Sequence, residues 1–168
     1  MIQLLIKKIG HFLFSYLDHE LLPTLDIGQA FLTTFLLKTS LLPTLNYEVC
    51  NRLFQINNSQ EIIKILKEQG VPIYNLNKDN YEYNKLLRTA LQRTAADKYD
   101  LSEIKAEIKE IYLDLGYERE MAKYILEIGS ESAKADLIFE KGEKWLTEGR
   151  IELLEESLAA IKPCTFIV

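Results

Sequence analysis

Cysteine is scarce: Cys50 and Cys164 are the only two in 168 residues. Two thiols so far apart make no disulfide framework, and neither sits in a CxxC pair, so free buried thiols are expected. Histidine is equally scarce. His11 and His19 would need ligands from elsewhere to build a zinc centre, and no HExxH occurs. Glycine and proline number 7 and 4, with no run rich in Ser, Gly or Pro that would read as a linker. One compact domain over residues 1–168 is therefore expected. GxGxxG, GxxxxGK[ST] and GxSxG are all missing, which removes the usual supports for nucleotide binding and serine hydrolysis. No cofactor, metal or catalytic residue is expected, and the reading is of a non-enzyme.

Long apolar runs are missing too. Lys38 and Pro43 interrupt the richest stretch, so none approaches the roughly 20 residues of a membrane span. Lys7 and Lys8 near the start resemble a signal peptide, but charges return at Asp18 and no small-residue cleavage site follows, so a cytoplasmic protein is expected.

What is present is acidity, unevenly placed. The net charge is -5, and residues 101–160 hold 15 acidic against 8 basic side chains, while residues 1–100 are nearly balanced. That argues against nucleic acid as a direct ligand and for a basic or neutral protein partner.

The stretch from Asp100 to Gly129 concentrates the pattern. Leu101, Ile104, Ile108, Ile111 and Leu115 recur at the three- and four-residue steps of one helix face. Asp100 with Glu103 suits a capping box, and Gly116 suits the left-handed residue that ends a helix. A second helix follows, with Met121, Tyr124, Ile125 and Ile128 inward and Glu118 and Glu120 at its positive end. On the first of these helices Glu103, Glu107, Glu110 and Asp114 fall within about 60° of one another. No Lys stands three or four residues from a Glu there, so the helix accepts like-charge pairs costing roughly 0.2 to 0.5 kcal/mol each. A solvated face explains this row; an acidic docking ridge is the sharper reading. Nine tyrosines, with Tyr74, Tyr81 and Tyr83 clustered, suggest core packing first and an interface second. Glu103, Glu107, Glu110, Asp114, Glu118 and Tyr81 are the candidate partner-binding residues.

The remaining segments also read as helical. Ile2, Leu5, Ile6, Ile9, Phe12, Leu13, Tyr16 and Leu17 predict an amphipathic first helix. LLPTL occurs at 21–25 and again at 41–45, each ahead of a helix start, with Asp26 and Gln29 as one capping box and Asn46 as the other cap. Ile62, Ile63, Ile65 and Leu66 give a short helix from Ser59 that Gly70 ends. Val71–Tyr74 is the single strand candidate. Asp79 with Glu82 predicts a helix whose face is Tyr83, Leu86, Leu87, Ala90, Leu91 and Thr94. Ile138, Trp145 and Leu146 are expected inward on a helix over 132–148, and Ile151, Leu154, Leu158 and Ile161 on one over 151–161. The apolar tail Pro163–Val168 is expected to pack against something. The class is all-α: an irregular single-domain bundle of about seven to nine helices, with at most one short extended segment.

DIGQAFLTTFLLKTSLLPTLNYEVCNRL, EIYLDLGYEREMAKYILEIG and the late EKWL together resemble a bacterial family of small immunity proteins encoded beside polymorphic toxins. Ile111, Tyr112, Asp114, Gly116, Tyr117, Glu120, Tyr124 and Ile125 fit its tract and Trp145 its late tryptophan, while Glu118 stands where that pattern has proline. The resemblance implies a protein that neutralises the C-terminal domain of a cognate toxin, a basic nuclease, by covering its active site. It leaves monomer or dimer open. The alternative is a helical adaptor on another bacterial protein, and a small enzyme stands third.

Overall fold

The computed structural model describes Ser15 and residues 28–161. The expected first helix, His11, His19, the first LLPTL, the Asp26–Gln29 box, Cys164 and the tail lie outside the described residues. Those described are mostly helical, with eight helices, as the composition and periodicity predict. They group into two compact units dividing between Ile111 and Tyr112, where a single unit is expected from the lack of a linker. No linker is needed, because the division falls inside a continuous helix.

The first unit opens with α1 (Gln29–Thr39), whose N-cap is Gly28 and carries no side-chain cap. Leu32, Phe35, Leu36 and Leu37 are buried on it. Leu41 and Leu42 of the second LLPTL are buried as well, and Leu45 with Asn46 forms β1. Asn46 then caps α2 (Tyr47–Phe54), its side chain accepting from the amides of Glu48 and Val49. After Gln55, left-handed at φ 52°, the chain enters α3 (Ser59–Glu68), which buries Ile62, Ile63 and Leu66. Gly70 at φ 89° ends that helix, where a left-handed residue is expected.

Val71 onward runs into β2 (Ile73–Asn75), but the extended structure does not stop there. Asn80–Tyr83, expected as the start of a helix, is strand β3, and it lies between β1 and β2 in an antiparallel sheet of order β1-β3-β2. Tyr81 pairs with Leu45 on one side and Asn75 on the other. The reason is local: the Asn77 side chain accepts from the amides of Asp79 and Asn80, closing a turn that a helix start would leave open. The following helix, α4 (Lys85–Lys98), is capped by Asn84 in place of Asp79, so Leu86 is half exposed while Leu87, Ala90, Leu91 and Ala95 are buried. The sheet is small, and the helical class stands with three short strands where at most one is expected.

Two polar devices lock this unit. Thr39 donates to the Phe35 carbonyl at 2.6 Å, so the Tyr83 hydroxyl, 2.7 Å away, is the donor to Thr39. Burial pushes the Tyr83 phenol well above its ordinary range. Arg88 Nε and Gln92 Nε2 of α4 both donate to the Ser40 carbonyl at 2.9 Å, fixing the end of α1. Cys50 is buried, and desolvation pushes its thiol up to about 12, away from the thiolate form.

α5 (Leu101–Asp114) carries the boundary. Asp100 caps it by accepting from the amide and hydroxyl of Ser102, and the hydroxyl bond holds its carboxyl below the usual range. Gly116 at φ 71° ends it, as expected.

In the second unit α6 (Glu118–Ile128) buries Met121, Ala122, Tyr124 and Ile125, and the rings of Tyr112 and Tyr124 lie 5.7 Å apart. Ser130 caps α7 (Glu131–Thr147), and Gly149 at φ 71° separates it from α8 (Ile151–Ala160). Trp145 is fully buried, as expected. Ile138, Leu154 and Ile161 are half-buried, but three other residues expected inward on these helices are not. Leu146, Ile151 and Leu158 are 60%, 53% and 55% exposed, and the buried positions are Leu137, Leu153 and Ser157. Ser157 tolerates the interior because its hydroxyl donates to the Leu153 carbonyl at 2.6 Å.

Candidate functional site

In the first unit α2 and α3 form a helix–turn–helix pair, and β2 and β3 form a hairpin beside the second helix. In such an arrangement the outer face of the second helix is the presented one. Here that face and the hairpin line a groove of about 720 Å³ that includes Gln60, Lys64, Lys67, Asn75 and Tyr81. Position in the sheet explains Tyr81, because the central strand holds its ring beside α3. The Lys67 ammonium stands 5.4 Å from the Tyr81 ring centroid and donates to the Asn75 side-chain oxygen.

The electrostatics of the groove are balanced. Glu61 and Glu68 oppose Lys64 and Lys67 along α3, and Lys64 lies 3.8 Å from Glu68. The hairpin tip adds Lys78 and Asp79, which again cancel. A DNA reader needs several cations free to displace counterions, and this face offers little surplus.

Of the candidates from sequence, Glu103, Glu107, Glu110 and Asp114 are all exposed along α5. Glu118 is drawn elsewhere. Its carboxylate meets Lys144 at 3.0 Å, Arg150 at 3.2 Å and Lys141 at 3.9 Å, tying the start of α6 to α7 and the α7–α8 turn. The Lys144 hydrogen bond holds Glu118 below its ordinary value, and its duty is structural. Tyr81 belongs to the groove, together with Lys64, Lys67 and Asn75, which sequence reading overlooks. The signal for them was the polar turn Asn77–Asn80 between Ile73–Tyr74 and the alternating Tyr81 and Tyr83. Among the described residues no His, Cys, Asp and Glu cluster to hold a metal ion, and no helix is long and apolar enough to cross a membrane.

Helix, strand, two helices and a hairpin follow one another over residues 29–83, with the sheet ordered β1-β3-β2, an order similar to that of a winged helix. Concordantly, a family described as the MalT winged helix domain matches residues 25–103. No curated protein matches the chain significantly.

Proposed function

We propose that this chain works by binding protein, as a cytoplasmic winged-helix adaptor without catalytic chemistry. The observation that carries the reading is the charge balance of the α3 face, where Glu61 and Glu68 offset Lys64 and Lys67. Phosphate contacts supply most of the affinity of duplex readers, and a face without excess positive charge lacks that term. A protein surface asks less of net charge and more of hydrogen-bonding groups around an aromatic anchor, which Gln60, Asn75 and Tyr81 provide. A titration of labelled mixed-sequence duplex at physiological salt tests this. The expected dissociation constant is weaker than about 100 µM, the weak end of non-specific binding. Sub-micromolar binding that Lys64→Ala with Lys67→Ala abolishes would replace the adaptor with a DNA reader.

A second reading, an immunity protein for a basic toxin nuclease, is supported by the exposed row Glu103, Glu107 and Glu110 on α5. Under it, Glu107→Lys with Glu110→Lys slows association with the toxin domain encoded beside it, by roughly tenfold or more at low salt. The deficit shrinks as salt rises, since screening acts over about 8 Å at physiological ionic strength. The reversal introduces opposite-charge pairs such as Glu103 with residue 107, so the fold is retained. Association rates that ignore the reversal would make the row a solvated face.

A further inference from the structure

The apolar spacing of α8 predicts a buried stripe at Ile151, Leu154 and Leu158, yet the helix turns Leu153 and Ser157 to the core and leaves Ile151 and Leu158 more than half exposed. On α7, Leu146, expected inward, is 60% exposed, and Phe139 is 91% exposed. Each helix thus carries two uncovered apolar residues seven apart, which is two turns on one face. The helices pack together as a hairpin around the Gly149 turn. Their register follows from Gly142, whose added Cβ would stand 3.6 Å from Leu154 Cδ1. An antiparallel pair aligned there brings Leu146 beside Ile151 and Phe139 beside Leu158. The four side chains therefore flank one outer groove of the hairpin, about 10 Å long by the rise of seven helical residues.

The charges next to this groove share one sign. Glu143 on α7 and Glu152 and Glu155 on α8 are exposed, and none is ion-paired among the described residues. The cations of the hairpin are used elsewhere: Lys141, Lys144 and Arg150 surround Glu118, and Lys134 pairs with Glu131. An apolar stripe two turns long between carboxylates is complementary to one kind of ligand. We propose that the outer groove of the α7–α8 hairpin docks an amphipathic helix of a partner protein, one whose apolar stripe at i, i+3, i+4 and i+7 is flanked by Lys or Arg. Phe139 is the anchor, since it exposes the most apolar surface and aromatic side chains carry a large share of interface energy. The inference uses the second unit alone and stands apart from the winged-helix reading.

The test uses the full chain and two synthetic 20-residue helices with the same leucine stripe, one flanked by lysines and one by glutamates, titrated by fluorescence anisotropy at low salt. The lysine-flanked peptide is expected to bind at least tenfold tighter. Phe139→Ser and Leu158→Ser each lower its affinity by tenfold or more, while Tyr74→Ser, at a site on the other unit about as exposed as Leu158, leaves it unchanged. Phe139→Ser removes a side chain already in solvent, so its circular dichroism and melting stay at wild-type values, and Leu158→Ser, at a half-exposed position, keeps wild-type circular dichroism. Equal affinity for the two peptides, or binding indifferent to Phe139→Ser, overturns the proposal. So does a wild-type dimer in sedimentation that Phe139→Ser converts to a monomer, which would assign the groove to a second copy of this chain.

Discussion

Replacing Trp145 by alanine lowers the stability of the second unit by about 3 to 5 kcal/mol, the range for truncating a large buried aromatic. Its indole is fully buried, and its Nε1 hydrogen finds no acceptor among the described residues. Packing alone therefore holds the side chain, and alanine leaves a cavity lined by helices that cannot close without moving. The orphan donor gives the prediction a second arm. Trp145→Phe removes a buried polar group that costs about 1 to 3 kcal/mol unpaired, and this offsets part of the volume it loses, so phenylalanine is far milder than alanine. Because Trp145 is the chain's only tryptophan, the measurement is urea unfolding followed by circular dichroism, with hydrogen exchange resolved over residues 117–161. A loss below about 1 kcal/mol for the alanine variant would mean the indole is not in the core.

Much of the helical layout was legible because its punctuation is chemical and local. Asn46 and Asp100 cap as their side chains predict, and Gly70, Gly116 and Gly149 adopt the positive φ that ends helices. The sheet was not legible, for an equally local reason. Asp79 and Glu82 imitate a capping box, and Tyr83, Leu87, Ala90 and Leu91 keep helical spacing across what is in fact a strand followed by a helix. Both patterns put Tyr83 inside, so burial could not separate them; the Asn77 turn could. On α8 hydropathy favoured Ile151 and Leu158 over Leu153 and Ser157. A serine that satisfies its hydroxyl on the previous turn costs little to bury, and no apolar scale registers that. The acidic row on α5 was readable because it lies on one helix. The α3 groove was not, since Tyr81 reaches it only through pairing with Asn75, and pairing across a hairpin is a property of the turn.

Replacing Phe35 by alanine has an effect of the same size on the first unit, about 3 to 5 kcal/mol, and it carries to the α3 groove. Phe35 is fully buried on α1, with its ring 4.9 Å from Phe54 and 6.2 Å from Phe31, while Phe31 and Phe54 meet at 5.7 Å with planes inclined by 68°. Each such aromatic pair adds about 0.5 to 1.5 kcal/mol beyond the area it buries, and alanine removes two at once. Phe54 is the last residue of α2, and four residues separate it from α3, so the ring cluster fixes where the helix–turn–helix pair begins its turn. Losing it frees that turn. The expected result is a fall in denaturation midpoint together with faster hydrogen exchange in residues 47–68. Phe35→Leu keeps an apolar side chain of similar reach and loses less than half as much. If Phe35→Ala instead leaves exchange over α2 and α3 unchanged, the pair is held by Val49, Leu53, Ile62 and Ile63, and the aromatic cluster does not position the groove.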